Sequence, residues 1–137
     1  MDNEFIYIQK SKIPGAGNGV FSKKKIKSGK KLGEYIGKYY KINNNIDEIY
    51  EIINKNSGTD EYVMAINDKK GDIYALIDGY DNGNWITMIN GAKTKEQFNY
   101  INCEFYQYNK RMYLKTTKEI QKNDELIIDY GDRYVWD

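Results

Sequence analysis

Most of the apolar residues in this 137-residue chain fall in short runs of Ile, Val, Tyr and Phe, separated by clusters of Gly, Asn and Asp. Apolar runs bounded by turn formers predict strands. The first, "FIYIQKS", alternates loosely. It is followed by "GVFS", "KLGEYIGKYYKI", "YVMAIN", "DIYALID", "FYQYNKRMYLKTT" and "DELIIDYG". One segment changes period. In "NIDEIYEIINK", Ile46, Ile49, Tyr50 and Ile53 recur at helical spacing, and Asn45 stands where a helix start favours a short polar side chain. A second, single helical turn is expected around "NWITMIN". With no internal repeat and no low-complexity linker, the pattern predicts one α+β domain over residues 1–137, mostly β, with few short helices.

Composition narrows the setting. The mean hydropathy is -0.81, and no apolar run is long enough to span a bilayer. The opening "MDNEFIYIQK" lacks the basic-then-apolar order of a secretory signal. An intracellular site is expected, in the nucleus or a viral factory, and not a secreted one. The net charge of +1 argues against a general nucleic-acid binder. Six lysines crowd positions 23–31, but lysine also guards exposed strand edges, and that reading is preferred.

The missing residue types exclude chemistry. With no histidine, a Ser-His-Asp or Cys-His nucleophile cannot be assembled, nor a histidine-ligated zinc. The single Cys103 forms no internal disulfide and no cysteine-rich metal site, so no metal is expected. Proton transfer is left to carboxylates, lysines, tyrosines or water.

Three polar clusters interrupt the strands. In "IPGAGNGVFS", Gly15, Gly17 and Gly19 alternate before a strand. Glycine permits a left-handed backbone or a close approach to a ligand. The run is neither a dinucleotide fingerprint nor a P-loop, and taken alone it reads as a turn. In "GYDNGNWITMINGA", Asn84 and Asn90 bracket an apolar stretch, where each amide needs a backbone or ligand partner. In the third, "NYINCEFYQYNKRMYLKTTKEIQKNDELIIDYG", Glu104 alternates with aromatics and reads as a solvent-facing strand residue. Asn102 keeps register with the strand after it better than Asn99 does.

Taken in order, these clusters resemble the SET domain, and most of all PR-type SET domains and short stand-alone viral SET proteins. The likeness covers nearly the whole chain: "IPGAGNGVFS" and "IKSGKKLGEYIG" resemble the opening, "YALIDGYDNGNWITMINGA" and "NCEF" the middle, and "IQKNDELIIDYG" the closing strand. The resemblance implies a fold of several small sheets with a C-terminal pseudoknot. It implies methyl transfer from S-adenosylmethionine to a lysine of a protein substrate, with a histone tail as the family's usual target. Direct nucleic-acid or membrane partners are not implied, and a homodimer would complete the substrate groove.

Residue roles carry over one by one. Tyr130 and Tyr35 match catalytic and channel tyrosines. Ala16, Gly17, Asn18, Gly19, Asn90 and Gly91 match the cofactor-binding segments. Tyr134 and Trp136 would cover the cofactor where other members use a zinc module. Tyr62 and Ile128 match the substrate channel, together with either Tyr113 or Leu114. Glu34, Asp60, Glu61 and Asp132 are candidate acids near the groove. One departure stands out: many members read Asn-His-Ser where this chain has Asn90-Gly91-Ala92. The alternative implied is a PR-like module that binds partners without catalysis.

Overall fold

A computed structural model describes residues 3–42, 46–57, 62–81 and 83–129. The described chain is mostly sheet with few helices. Its strands are β1 (Ile6–Lys10), β2 (Asn18–Ser22), β3 (Lys31–Glu34), β4 (Lys38–Lys41), β5 (Val63–Asn67), β6 (Ile73–Asp78), β7 (Asn90–Gly91), β8 (Cys103–Tyr108), β9 (Arg111–Thr116) and β10 (Ile127–Ile128). The helices are α1 (Ile46–Ser57) and α2 (Lys95–Phe98), and a 3-10 turn covers Trp85–Met88. None is long and apolar enough to cross a membrane.

The chain divides into two compact units. The first draws on Met1–Gly33, Met88–Tyr106 and Leu114–Asp137. Here β1 and β2 pair antiparallel from Ile6↔Ser22 to Lys10↔Asn18, and Tyr7 stacks on Phe21. A sheet runs β3-β9-β8-β10-β7, with β10 parallel to both of its neighbours; Glu34 of β3, Gln107 and Tyr108 of β8, and Arg111, Met112 and Tyr113 of β9 belong to the second unit. Phe21, Leu114, Ile120, Leu126 and Ile128 form the interior. The lysine-rich loop is anchored by one buried side chain. The Thr116 hydroxyl donates to the Lys27 carbonyl at 2.7 Å and accepts from the Lys30 N–H at 2.8 Å. Ile26 adds a bridge to Ile120, so the loop's lysines face water while its one isoleucine is buried.

The second unit takes Glu34–Thr87 and Gln107–Tyr113. Its sheet, β4-β6-β5, is antiparallel, and β6 is buried from Ala75 to Asp78. In α1 the predicted face turns inward: Ile53 is fully buried and Ile46, Ile49 and Tyr50 are partly so. Asp47 and Glu48 in the first turn and Lys55 in the last complement the helix dipole. The Asn45 start lies outside the described residues.

Candidate functional site

The glycine cluster forms the loop between β1 and β2. The Ser11 N–H reaches the Gly17 carbonyl at 2.7 Å, and the Ala16 N–H reaches that of Ile13 at 3.2 Å. Gly15 and Gly17 have φ of 77° and 72°, a left-handed backbone that L side chains rarely adopt. Open space lies where a side chain on either would start. Gly19 is different. A methyl group there would meet the Glu125 Oε2 at 2.3 Å and the Asn90 Nδ2 at 3.1 Å.

That clash marks the centre of the first unit's polar cluster. The Glu125 carboxylate accepts from the Ser11 hydroxyl at 2.7 Å, the Lys12 N–H at 3.1 Å and the Asn90 Nδ2 at 3.0 Å. Asn90 Nδ2 also donates to the Asn18 carbonyl at 3.2 Å. Ser11 in turn accepts from the Ile13 N–H at 3.0 Å. One carboxylate therefore links the glycine loop to β7. Ala16, Gly17, Asn18, Gly19, Asn90 and Gly91, from two separate stretches of sequence, belong to this neighbourhood or the segments that build it.

The backbone of Glu125 is fixed as firmly. It bridges Phe21, and its carbonyl accepts from the Asn102 Nδ2 at 2.9 Å. The Asn102 Oδ1 accepts from the Ile127 N–H at 2.9 Å, while the Asn102 N–H reaches the Ile127 carbonyl at 3.0 Å. Asn102 is buried and serves as an extra strand partner for the segment leading into β10. Ile128, a predicted channel residue, is 2% exposed and packs in the interior of this unit. Glu104 pairs with Lys115 at 3.4 Å on the surface.

The second unit holds the other candidates. Tyr35 is 5% exposed and donates its hydroxyl to the Tyr62 carbonyl at 2.5 Å. Its own N–H reaches the Met112 carbonyl at 2.8 Å. The half-buried Tyr62 ring lies 5.6 Å from Tyr80, tilted by 54°. Asn84 donates to the Glu34 carbonyl at 3.1 Å and accepts from the Ile86 N–H at 3.3 Å, capping the 3-10 turn. Along β9, Met112 and Leu114 are buried and Tyr113 is half-buried on the opposite face. Glu34 pairs with Arg111 at 3.0 Å, and that hydrogen bond raises the guanidinium's pKa further.

Tyr130, Tyr134 and Trp136 lie outside the described residues, as do Asp60, Glu61 and Asp132. The residues that sequence reasoning missed are Glu125 and Ser11. Both sit inside or beside quoted motifs, yet nothing local distinguishes Glu125 from the acids around it.

Comparison with known proteins follows the same outline. Residues 6–136 match the family model for the PR domain of PR domain zinc finger protein 2. Histone-lysine N-methyltransferase set-17 of Caenorhabditis elegans is 30% identical over 129 residues, which are 93% of this chain and 41% of that protein. PR domain zinc finger protein 2 of Homo sapiens is 30% identical over 118 residues, 82% of this chain and 6% of that protein. The chain thus spans less than half the length of either relative. Among solved structures, the methyltransferase domain of human PR domain-containing protein 2 aligns with a TM-score of 0.66 at 24% identity, covering 98% of this chain and 82% of that one. The ATXR5 SET domain, solved with a dimethylated histone H3, gives 0.69 at 22% identity, covering 94% and 60%. At these identities the structural likeness speaks for the fold. With the family match spanning nearly every residue, the chain belongs to the PR-domain branch of the SET-domain family.

Proposed function

We propose that this PR-type SET domain is a protein-lysine N-methyltransferase that uses S-adenosylmethionine and acts on a histone tail. The observation that carries the reading is the polar cluster of the first unit. The family's cofactor segments, scattered from Ala16 to Gly91, are tied together there through Glu125. The donor set suits the amino-acid end of such a cofactor. Gly15 and Gly17 leave the loop backbone open, and the Asn90 amide offers an acceptor.

The cofactor supplies an electrophilic methyl group on a sulfonium. The chain's task is to bind, orient and exclude water. A target lysine, with a free pKa of about 10.4, must present a neutral amine. Dry aromatic walls disfavour the ammonium form. Tyr35, Tyr62 and Tyr113 are the candidates for such walls, and Tyr130 for the hydroxyl that positions the methyl group. The proton of the target lysine can leave through water, so no histidine is required. Tyr134 and Trp136 are the candidates for closing the site. The worm and human relatives favour a nuclear setting over a viral one.

A methyl-transfer assay on a panel of histones, read by mass spectrometry, tests the reading. Tyr130→Phe is expected to lower turnover by about 10²–10³ while leaving the fold intact. Full turnover in that variant would remove Tyr130 from its role. Sedimentation velocity separates a monomer from a homodimer that completes the groove. Asn90-Gly91-Ala92 supports a second reading, a module that binds partners without transferring methyl groups. Calorimetry distinguishes the two: saturable binding of S-adenosylmethionine supports the enzyme, and no binding at high ligand concentration supports the module.

A further inference from the structure

We infer that Glu125 is a positioning residue that sets which end of the Asn90 amide faces the cofactor. The inference rests on the cofactor reading above and goes beyond it, because Glu125 itself touches only protein.

The argument starts from hydrogen-bond types. An asparagine amide has a donor end and an acceptor end. At Asn90 both recorded partners, the Asn18 carbonyl at 3.2 Å and the Glu125 Oε2 at 3.0 Å, are acceptors. A carbonyl oxygen and a carboxylate oxygen cannot donate, so the nitrogen must face them. Turning the amide would set its oxygen against two other oxygens. With Nδ2 committed, Oδ1 on the far side of Cγ is the end left for a ligand, and it can only accept. The cofactor's amino-acid end carries one donor group, its α-ammonium. Glu125 thereby selects for an amine at a position it never reaches.

The carboxylate is well built for this work. Ser11 and Lys12 hold it from the glycine loop, Asn102 holds its backbone, and Gly19 leaves the room it occupies. A charged acceptor makes stronger hydrogen bonds than a neutral one. A glutamine at 125 has nearly the same shape but carries an NH2 group. With its oxygen kept by the Ser11 and Lys12 donors, that NH2 faces the Asn90 nitrogen, and only the Asn18 carbonyl at 3.2 Å still holds the amide's orientation.

The test is calorimetric titration of the full chain with two probes, S-adenosylhomocysteine and its analogue with hydrogen in place of the α-amino group. Wild type, Glu125→Gln, Asn90→Ala and the double variant are compared below their melting temperatures. Wild type is expected to prefer the amine-bearing probe. Glu125→Gln should lose roughly tenfold of that preference. Asn90→Ala should lose a similar amount, and the double variant no more than either single one. A folded Glu125→Gln that keeps the full preference overturns the inference and leaves the cofactor reading standing. A wild type that binds neither probe overturns both.

A second measurement needs no variant at Glu125. The side-chain NH2 resonances of Asn90, assigned by their loss in Asn90→Ala, should be protected from exchange with and without S-adenosylhomocysteine. Loss of that protection on binding would show the amide turning its nitrogen to the ligand, and would equally overturn the inference.

Discussion

Gly17 and Gly19 stand two positions apart and are glycine for different reasons. Gly17 needs its left-handed backbone, with open space around it, whereas Gly19 must leave room for the Glu125 carboxylate. Gly17→Ala should therefore cost about 1–2 kcal/mol of stability through backbone strain, with the Asn90 amide resonances in place. Gly19→Ala should cost about 1–3 kcal/mol and shift those resonances, because the carboxylate must leave its three donors. Urea unfolding and amide spectra of the two variants decide between these origins, and identical spectra would refute the contrast. Cys103 supplies a further prediction. It is fully buried, and desolvation pushes its thiol up to about 12. Since the thiol stays protonated well above pH 8, an exposure-dependent thiol reagent should label it slowly in the folded protein and rapidly in denaturant. Rapid labelling in native buffer would count against this burial.

One discrepancy between pattern and structure lies in "KLGEYIGKYYKI", which alternates well enough to predict one strand but forms two, β3 and β4. The break follows from contacts the pattern cannot contain. Tyr35 turns inward to the Tyr62 carbonyl, and Gly37 lies so near the Asp78 carbonyl that a methyl group would come within 2.3 Å. Among the described residues, "DELIIDYG" likewise contributes only Ile127–Ile128 to a strand of the sheet. Helix α1 was legible because its period is local. The short α2 had a local signal too: Thr94 accepts from the Gln97 N–H at 3.1 Å, the first half of a capping box. The reciprocal arm lands one residue early, with Gln97 Oε1 accepting from the Lys93 N–H at 2.7 Å. The site was legible where glycines and amides mark it. Glu125 was not, since its meaning comes from Ser11, 114 positions away. Asn102 is the element-scale counterpart, an amide that replaces a missing strand neighbour. Asn102→Ala should leave the Ile127 N–H and the Glu125 carbonyl unpaired, at about 1–3 kcal/mol each. A denaturant midpoint unchanged by the substitution would show that water replaces the amide.

Neither compact unit is a continuous stretch of chain: one is drawn from three segments and the other from two. Connectivity of that kind favours joint unfolding over independent melting. Scanning calorimetry is expected to show one transition whose calorimetric and van't Hoff enthalpies agree. Two resolved peaks would show that the units melt separately. The place of β10 bears on how such a molecule is assembled. Ile128 pairs with Gly91, 37 positions earlier (128 − 91), and with Cys103, 25 positions earlier (128 − 103). If β7 and β8 form first, they face each other across a slot one strand wide, with unpaired backbone groups on both sides. That slot is indifferent to whose Ile127–Ile128 fills it. At low protein concentration the chain's own segment wins because it is tethered. At high concentration a neighbour's segment competes, and refolding yields strand-exchanged assemblies whose sheets carry the same pairings as the monomer's.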